Sequence, residues 1–83
     1  MAHYAYIQNN TVVDVITGRD ETDLEGLPDG MRSWEDYYSA RRGMTCLRCS
    51  YNANIRGIYP SIGDTYDPTI DEFVPPPEPE PEP

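Results

Sequence analysis

The last nine residues of this 83-residue chain are all proline or glutamate, and they limit what the rest can fold into. Pro75–Pro83 contains six prolines, each of which fixes φ and lacks a backbone N–H donor. Such a segment predicts an extended, polyproline-like tail without a hydrophobic core of its own. The sequence therefore predicts one small domain in residues 1–74 and a tail in residues 75–83.

The chain is strongly acidic, with 15 aspartates and glutamates against six arginines and no lysine, which gives a net charge of -9. A sequence-independent nucleic-acid binder needs a basic face, so we expect no nucleic-acid partner. No apolar run approaches the ~18–20 residues of a membrane span, and the N-terminus does not resemble a secretory signal. We expect no membrane partner and synthesis in the cytoplasm.

The first half of the chain predicts a β-hairpin followed by a helix. Runs rich in β-branched and aromatic residues, Tyr4–Gln8 and Thr11–Thr17, flank Asn9-Asn10, a pair that tolerates the positive φ of a tight turn. The segment 31–43 predicts a short helix that is capped by Ser33 and ended by Gly43. Strict alternation in the hairpin predicts two faces, one with Tyr4 and Tyr6 and the other with Ala5 and Ile7, and it sets Val13 and Val15 opposite Val12, Asp14 and Ile16.

The second half predicts further strands. Met44–Tyr51 is typical of a third strand, and a second hairpin joins Thr65-Tyr66 to Asp71–Val74 through a turn at Asp67-Pro68. We expect an α+β fold, a small and mostly antiparallel sheet of hairpins. The helix should pack on it through Trp34 and either Tyr37 or Tyr38.

No residue pattern indicates catalysis or metal binding. Cys46 and Cys49 form a C-x-x-C motif, but three positions along a strand point to opposite faces about 10 Å apart, beyond the reach of a disulfide. Free structural thiols are favoured over a disulfide, an intersubunit link, or metal or redox chemistry. His3 is the only histidine and has no serine–acid partner pattern. We expect no enzyme activity, no catalytic or metal-binding residue and no cofactor.

Aromatic side chains are the most informative candidates for a binding site, although they fit a small core equally well. The chain has seven tyrosines, a residue type enriched at protein interfaces. The predicted partner-binding residues are Tyr51, Asn52, Arg56, Tyr59, Tyr66 and Phe73, together with Glu78 and Glu80 of the tail. The alternative to partner binding in the last hairpin is that Tyr66 and Phe73 only pair with each other. The tail itself is either a solvated extension or a stiff arm that docks on a neighbour.

Two segments resemble a small protein family of cyanophages and other marine-type tailed bacteriophages. The first is Met1–Gly18. The second is a series of short motifs, Thr45-Cys46, Ser50-Tyr51-Asn52, Ile55-Arg56-Gly57-Ile58-Tyr59, Ile62-Gly63-Asp64-Thr65-Tyr66-Asp67 and Asp71-Glu72-Phe73-Val74-Pro75-Pro76. The chain departs from the family pattern at Cys49, where a polar residue is expected, and in its proline–glutamate tail.

The resemblance implies a virion component. Together with the small size, acidity and tyrosine content, it leads us to expect a capsid decoration or cement protein on the outer head surface. Its partners would be the major capsid protein or other virion proteins, with a homo-oligomer also open, and its location would be the virion. The alternatives are a tail, neck or baseplate accessory protein, or an acidic phage regulator that binds a basic host protein.

Overall fold

A computed structural model describes residues 2–76 of the chain, which form one antiparallel sheet and one helix. The elements are β1 (Ala2–Gln8), β2 (Thr11–Gly18), α1 (Trp34–Arg42), β3 (Thr45–Cys49), β4 (Thr65–Asp67) and β5 (Glu72–Val74). The sheet has the strand order β3-β1-β2-β4-β5, so the chain crosses over after the first hairpin. The α+β prediction is confirmed for this part of the chain, whereas the predicted tail lies almost wholly outside it.

The first hairpin turns where the sequence predicts, but one face assignment is wrong. Asn9 and Asn10 have φ values of 52° and 60°, as a two-residue turn between twisted strands requires. A register shift between Tyr6 and Ile7 leaves Val13 as an extra, bulged residue. The bulge interrupts strict alternation, so Val12 and Val15 contribute to one core cluster while Ile16 contributes to the other.

One face of the sheet packs against α1 through an aromatic cluster. The helix begins after Ser33, whose Oγ accepts a hydrogen bond from the Asp36 N–H, and it ends at Gly43 in the left-handed conformation. Both Tyr37 and Tyr38 pack against the buried cluster of this face. The buried members of the cluster are Ala2, Tyr4, Tyr6, Trp34 and Cys46.

The opposite face is covered by the 50–64 segment and by the β4–β5 hairpin. Phe73 of β5 is only 1% exposed and packs beside Tyr66, with ring centroids 5.5 Å apart. Ile58 packs against the same cluster. The buried residues of this second core are Ala5, Ile7, Val12, Cys49 and Phe73. The two cores bury opposite faces of β1, which is why β1 is buried almost throughout.

The outer edge of β3 is closed by side chains instead of another strand. Ser39 and Glu35 lie one turn apart on α1, so they face the same side. The Ser39 Oγ accepts from the Cys46 N–H at 2.9 Å, and the Glu35 Oε2 accepts from the Arg48 N–H at 2.6 Å. These bonds satisfy edge donors that would otherwise be open to pairing with another chain.

Arg56 completes this closure and joins the two ends of the sheet. Its guanidinium donates to the Arg48 carbonyl at 3.0 Å and to Glu35 at 3.0 Å, while its Nε donates to Asp71 at 2.8 Å. Its carbonyl accepts the Phe73 N–H at 2.8 Å. Arg56 therefore connects the β3 edge to β5, and the sheet curls around the second core.

We predict that Glu35→Ala destabilises the fold markedly. The change leaves the Arg48 N–H without its acceptor and removes one of the two carboxylates paired with Arg56, which costs about 1–3 kcal/mol. Chemical denaturation measures the free energy of unfolding. Glu25→Ala, in the exposed 18–30 loop, is the matched control and should change stability little. Equal stabilities for the two variants would contradict this account of the β3 edge.

Candidate functional site

Three aromatic side chains that are distant in sequence meet on the surface. His3 lies between Tyr51 and Tyr59, with ring centroids 5.7 Å and 5.6 Å away and both contacts edge-on. Tyr51 is 66% exposed and Tyr59 is 38% exposed. We call His3, Tyr51 and Tyr59 the aromatic patch. Rings held edge-to-face are partly preorganised, which lowers the entropy cost of using them in an interface.

The 50–64 segment holds the patch in place through local turns. The buried Ser50 accepts the Asn52 N–H through its Oγ and the Ala53 N–H through its carbonyl. These bonds close a turn with Tyr51 and Asn52 at its centre, and Ala53 follows it with a φ of 57°. At the other end of the segment, Pro60 is fully buried next to Tyr59 in sequence and anchors it. Asn52 is exposed beside Tyr51 in sequence.

Three other predicted contact residues, Phe73, Tyr66 and Arg56, make contacts within the fold that stabilise it. Phe73 is buried in the second core, so its prediction as a contact residue is wrong: its ring fills the space between the sheet and the 50–64 segment. Tyr66 is half-buried against Phe73 and donates its hydroxyl to Asp71. The Arg56 side chain is 21% exposed and engaged on three sides. Of the predicted residues in the described region, Tyr51, Asn52 and Tyr59 remain accessible, while Glu78 and Glu80 lie outside it.

His3 is the member of the patch that sequence reasoning missed. Its partners are 48 and 56 residues away along the chain, and only the pairing of β1 with β3 brings Tyr51 near it. No local pattern marks such a residue. The weak signal available is a histidine at the start of a predicted strand whose neighbours Ala2 and Tyr4 are buried.

All six arginines are engaged within the fold. Arg42 pairs with Asp14 at 2.8 Å and lies 4.3 Å from the centroid of the Tyr6 ring, and Arg41 stacks on Tyr37. Planar guanidinium groups suit such stacked and forked contacts better than lysine does. The others bind Asp23 and Trp34 (Arg19), Asp36 (Arg32), the His3 carbonyl (Arg48), and Glu35 with Asp71 (Arg56).

The two cysteines are free and buried, as predicted. Cys46 belongs to the core under α1 and Cys49 to the core on the opposite face. Burial raises the pKa of Cys46 to about 12, with a further contribution from Glu35, and burial raises the pKa of Cys49 to about 11. Neither thiol is suited to act as a nucleophile near neutral pH.

Within residues 2–76 no group of three or more histidine, cysteine or acidic side chains is arranged to hold a metal ion. In the same part of the chain, no helix is long and apolar enough to cross a membrane, and α1 has only nine residues.

We predict that both thiols resist modification in the native protein. With a pKa of about 11 or above, at most about one thiol in 10⁴ is ionised at pH 7. Reaction with an aromatic disulfide reagent should therefore be slow until denaturant is added, when two equivalents should react. Rapid reaction of either cysteine in the native chain would contradict its burial.

We predict that Asp71 contributes stability that is lost in acid. Hydrogen bonds from Tyr66 and Arg56 lower the pKa of Asp71 below its usual value, so the fold favours its ionised form. The contribution is complete above the unfolded pKa of about 4 and disappears as the pH falls through the folded value. Because the side chain is 60% exposed, Asp71→Asn should cost only about 0.5–1 kcal/mol at pH 7.

Denaturation of Asp71→Asn and of the native chain between pH 3 and pH 7 measures this difference. The gap should narrow as the pH falls, whereas Asp29→Asn in the exposed loop should behave like the native chain throughout. A gap that stays constant with pH would show that Asp71 does not act through its charge.

In comparisons with known proteins, no family model, no curated protein and no solved structure matches the chain.

Proposed function

We propose that this chain is a non-enzymatic structural protein of a bacteriophage virion, bound to the outer head surface as a decoration or cement protein. The major capsid protein is its partner in this proposal. The aromatic patch, together with Asn52, is the contact surface. The single observation that carries the proposal is the exposure of Tyr51 and Tyr59 in a chain whose other aromatic side chains are buried or half-buried in its cores.

The chemistry of the patch supports protein binding. Tyrosine combines a large apolar ring with a polar hydroxyl and has few rotatable bonds, so it dominates many interface hot spots. His3 adds a polar ring that can donate or accept a hydrogen bond. Exposed rings held by turns at Ser50 and by the buried Pro60 lose little further freedom on binding.

The acidic balance supports a place outside a DNA-filled shell. The net charge is -9, and the arginines that oppose it are engaged within the fold. Such a surface does not compete for packaged DNA. The same charge also fits the alternative of a regulator that binds a basic host protein, and an accessory protein of the tail, neck or baseplate is the third candidate.

Mass spectrometry of purified particles with copy-number measurement separates these candidates. A decoration protein should be present in purified virions at a copy number comparable with that of the major capsid protein. A low copy number that fits a three-, six- or twelvefold axial structure would favour the tail, neck or baseplate. Absence from the particles would overturn the virion proposal and leave the regulator.

We predict that Tyr51→Ala weakens binding to the particle without unfolding the chain. A hot-spot tyrosine contributes about 1.5–2 kcal/mol, so affinity should fall roughly tenfold to thirtyfold in a sedimentation assay with particles that lack the protein. Leu24→Ala is the matched control, because Leu24 is 57% exposed and lies in the 18–30 loop. Unchanged binding by Tyr51→Ala and Tyr59→Ala would remove the aromatic patch from the interface.

A further inference from the structure

Beyond Val12, the side of β2 that faces away from β1 has no strand beside it in the described region. β4 pairs with β2 only at Thr11, and the segment before β4 bonds only to Val12. From Val13 to Gly18, no strand within residues 2–76 lies on the outer side of β2. The Val15 N–H is bonded to the Asp14 side chain, so it does not bond to β1 and points outward. Alternation gives Thr17 the same outward direction.

A groove lies between α1 and β2, next to this open edge. It encloses about 380 Å³. Its walls are Tyr6, Ile16, Thr17, Tyr38, Arg41 and Arg42. Tyr6 contributes little surface to the groove, because it is 2% exposed and the Arg42 guanidinium lies 4.3 Å from the centroid of its ring. Arg41 stacks on Tyr37 but pairs with no carboxylate of the described residues. The groove therefore carries positive charge in a protein that is otherwise acidic.

We propose that the proline–glutamate tail of the same chain, residues 77–83, docks on this edge as an additional strand and covers it. Its glutamate backbone groups pair with the outer side of β2, and its glutamate side chains lie over Arg41 and Arg42. The tail thereby protects the edge from pairing with a second copy of the chain.

Glutamate and proline alternate in the tail, so a tail in a strand conformation would have N–H donors on one side only. A strand directs the backbone groups of every second residue to the same neighbour. Glu78, Glu80 and Glu82 have N–H groups and occupy every second position, whereas the prolines between them have none. Such a segment can pair on one side and offers no donor on the other, which is where proline is tolerated in sheets. The same spacing places all three glutamate side chains on one face.

The tail starts at a suitable place and heads in a suitable direction. β5 is antiparallel to β4, and β4 is antiparallel to β2, so β5 runs in the same direction as β2. Val74 lies opposite Thr65, which lies opposite Thr11, so Val74 is about 10 Å from Thr11 across two strand spacings. Thr17 is about 20 Å farther along β2. The nine residues after Val74 span about 28 Å as an extended segment, which is enough to reach it.

Amide hydrogen exchange at Thr17 in the full chain tests the proposal. Replacing Glu78, Glu80 and Glu82 by proline removes the three N–H donors but keeps the tail extended. If the tail covers the edge 90% of the time, the Thr17 N–H of the native chain should exchange about tenfold more slowly than in this variant. Replacement of the three glutamates by glutamine keeps the donors and removes the charge, so protection should be intermediate.

Arginine variants test the charge component. Arg41→Gln should speed exchange at Thr17, whereas Arg32→Gln, at the exposed start of the helical region, should leave it unchanged. Equal exchange at Thr17 in the native chain and the proline variant would overturn the proposal. Protection that persists in the proline variant and rises with protein concentration would also overturn it, because a second copy would then cover the edge.

Discussion

The fold depends on how the outer edge of β3 is closed. The sheet has two outer strands, β3 and β5, and an unpaired edge exposes a row of donors and acceptors. Here Ser39 and Glu35 reach from the helix to the N–H groups of Cys46 and Arg48 in β3, and Arg56 donates to the Arg48 carbonyl beside them. Because Arg56 also binds β5, the same group holds the 50–64 segment over the second core. The helix, the sheet edge and the surface segment are thus stabilised together.

The elements of the fold follow from local chemistry, and their assembly does not. Asn9-Asn10, Ser33 and Gly43 mark a turn, a helix start and a helix end because their backbone preferences act within a few residues. The bulge at Val13 has no comparable signal: strict alternation places Val12 and Val15 on opposite faces, and the register shift brings them together. The strand order also escapes local reasoning, since the contacts of Arg56 join residues from 8 to 21 positions away.

The sequence predicted some residues of the candidate site and not others, and this difference has a physical cause. Composition identifies tyrosine as an interface residue but cannot separate a buried ring from an exposed one. Tyr51 and Tyr59 lie in the irregular 50–64 segment and remain accessible, whereas Phe73 lies in a paired strand and enters the core. His3 joins the patch only because β1 lies beside β3. The role of such a residue can be predicted only when the strand order of the sheet is known.

The net charge determines what a neighbouring molecule encounters at a distance. The value of -9 already counts the six arginines, so the far field of the chain is that of an anion. Between two copies this repulsion decays over a Debye length, about 8 Å at physiological ionic strength. Salt should therefore govern how closely copies approach one another on any shared support, while the short internal ion pairs that shape each copy respond far less.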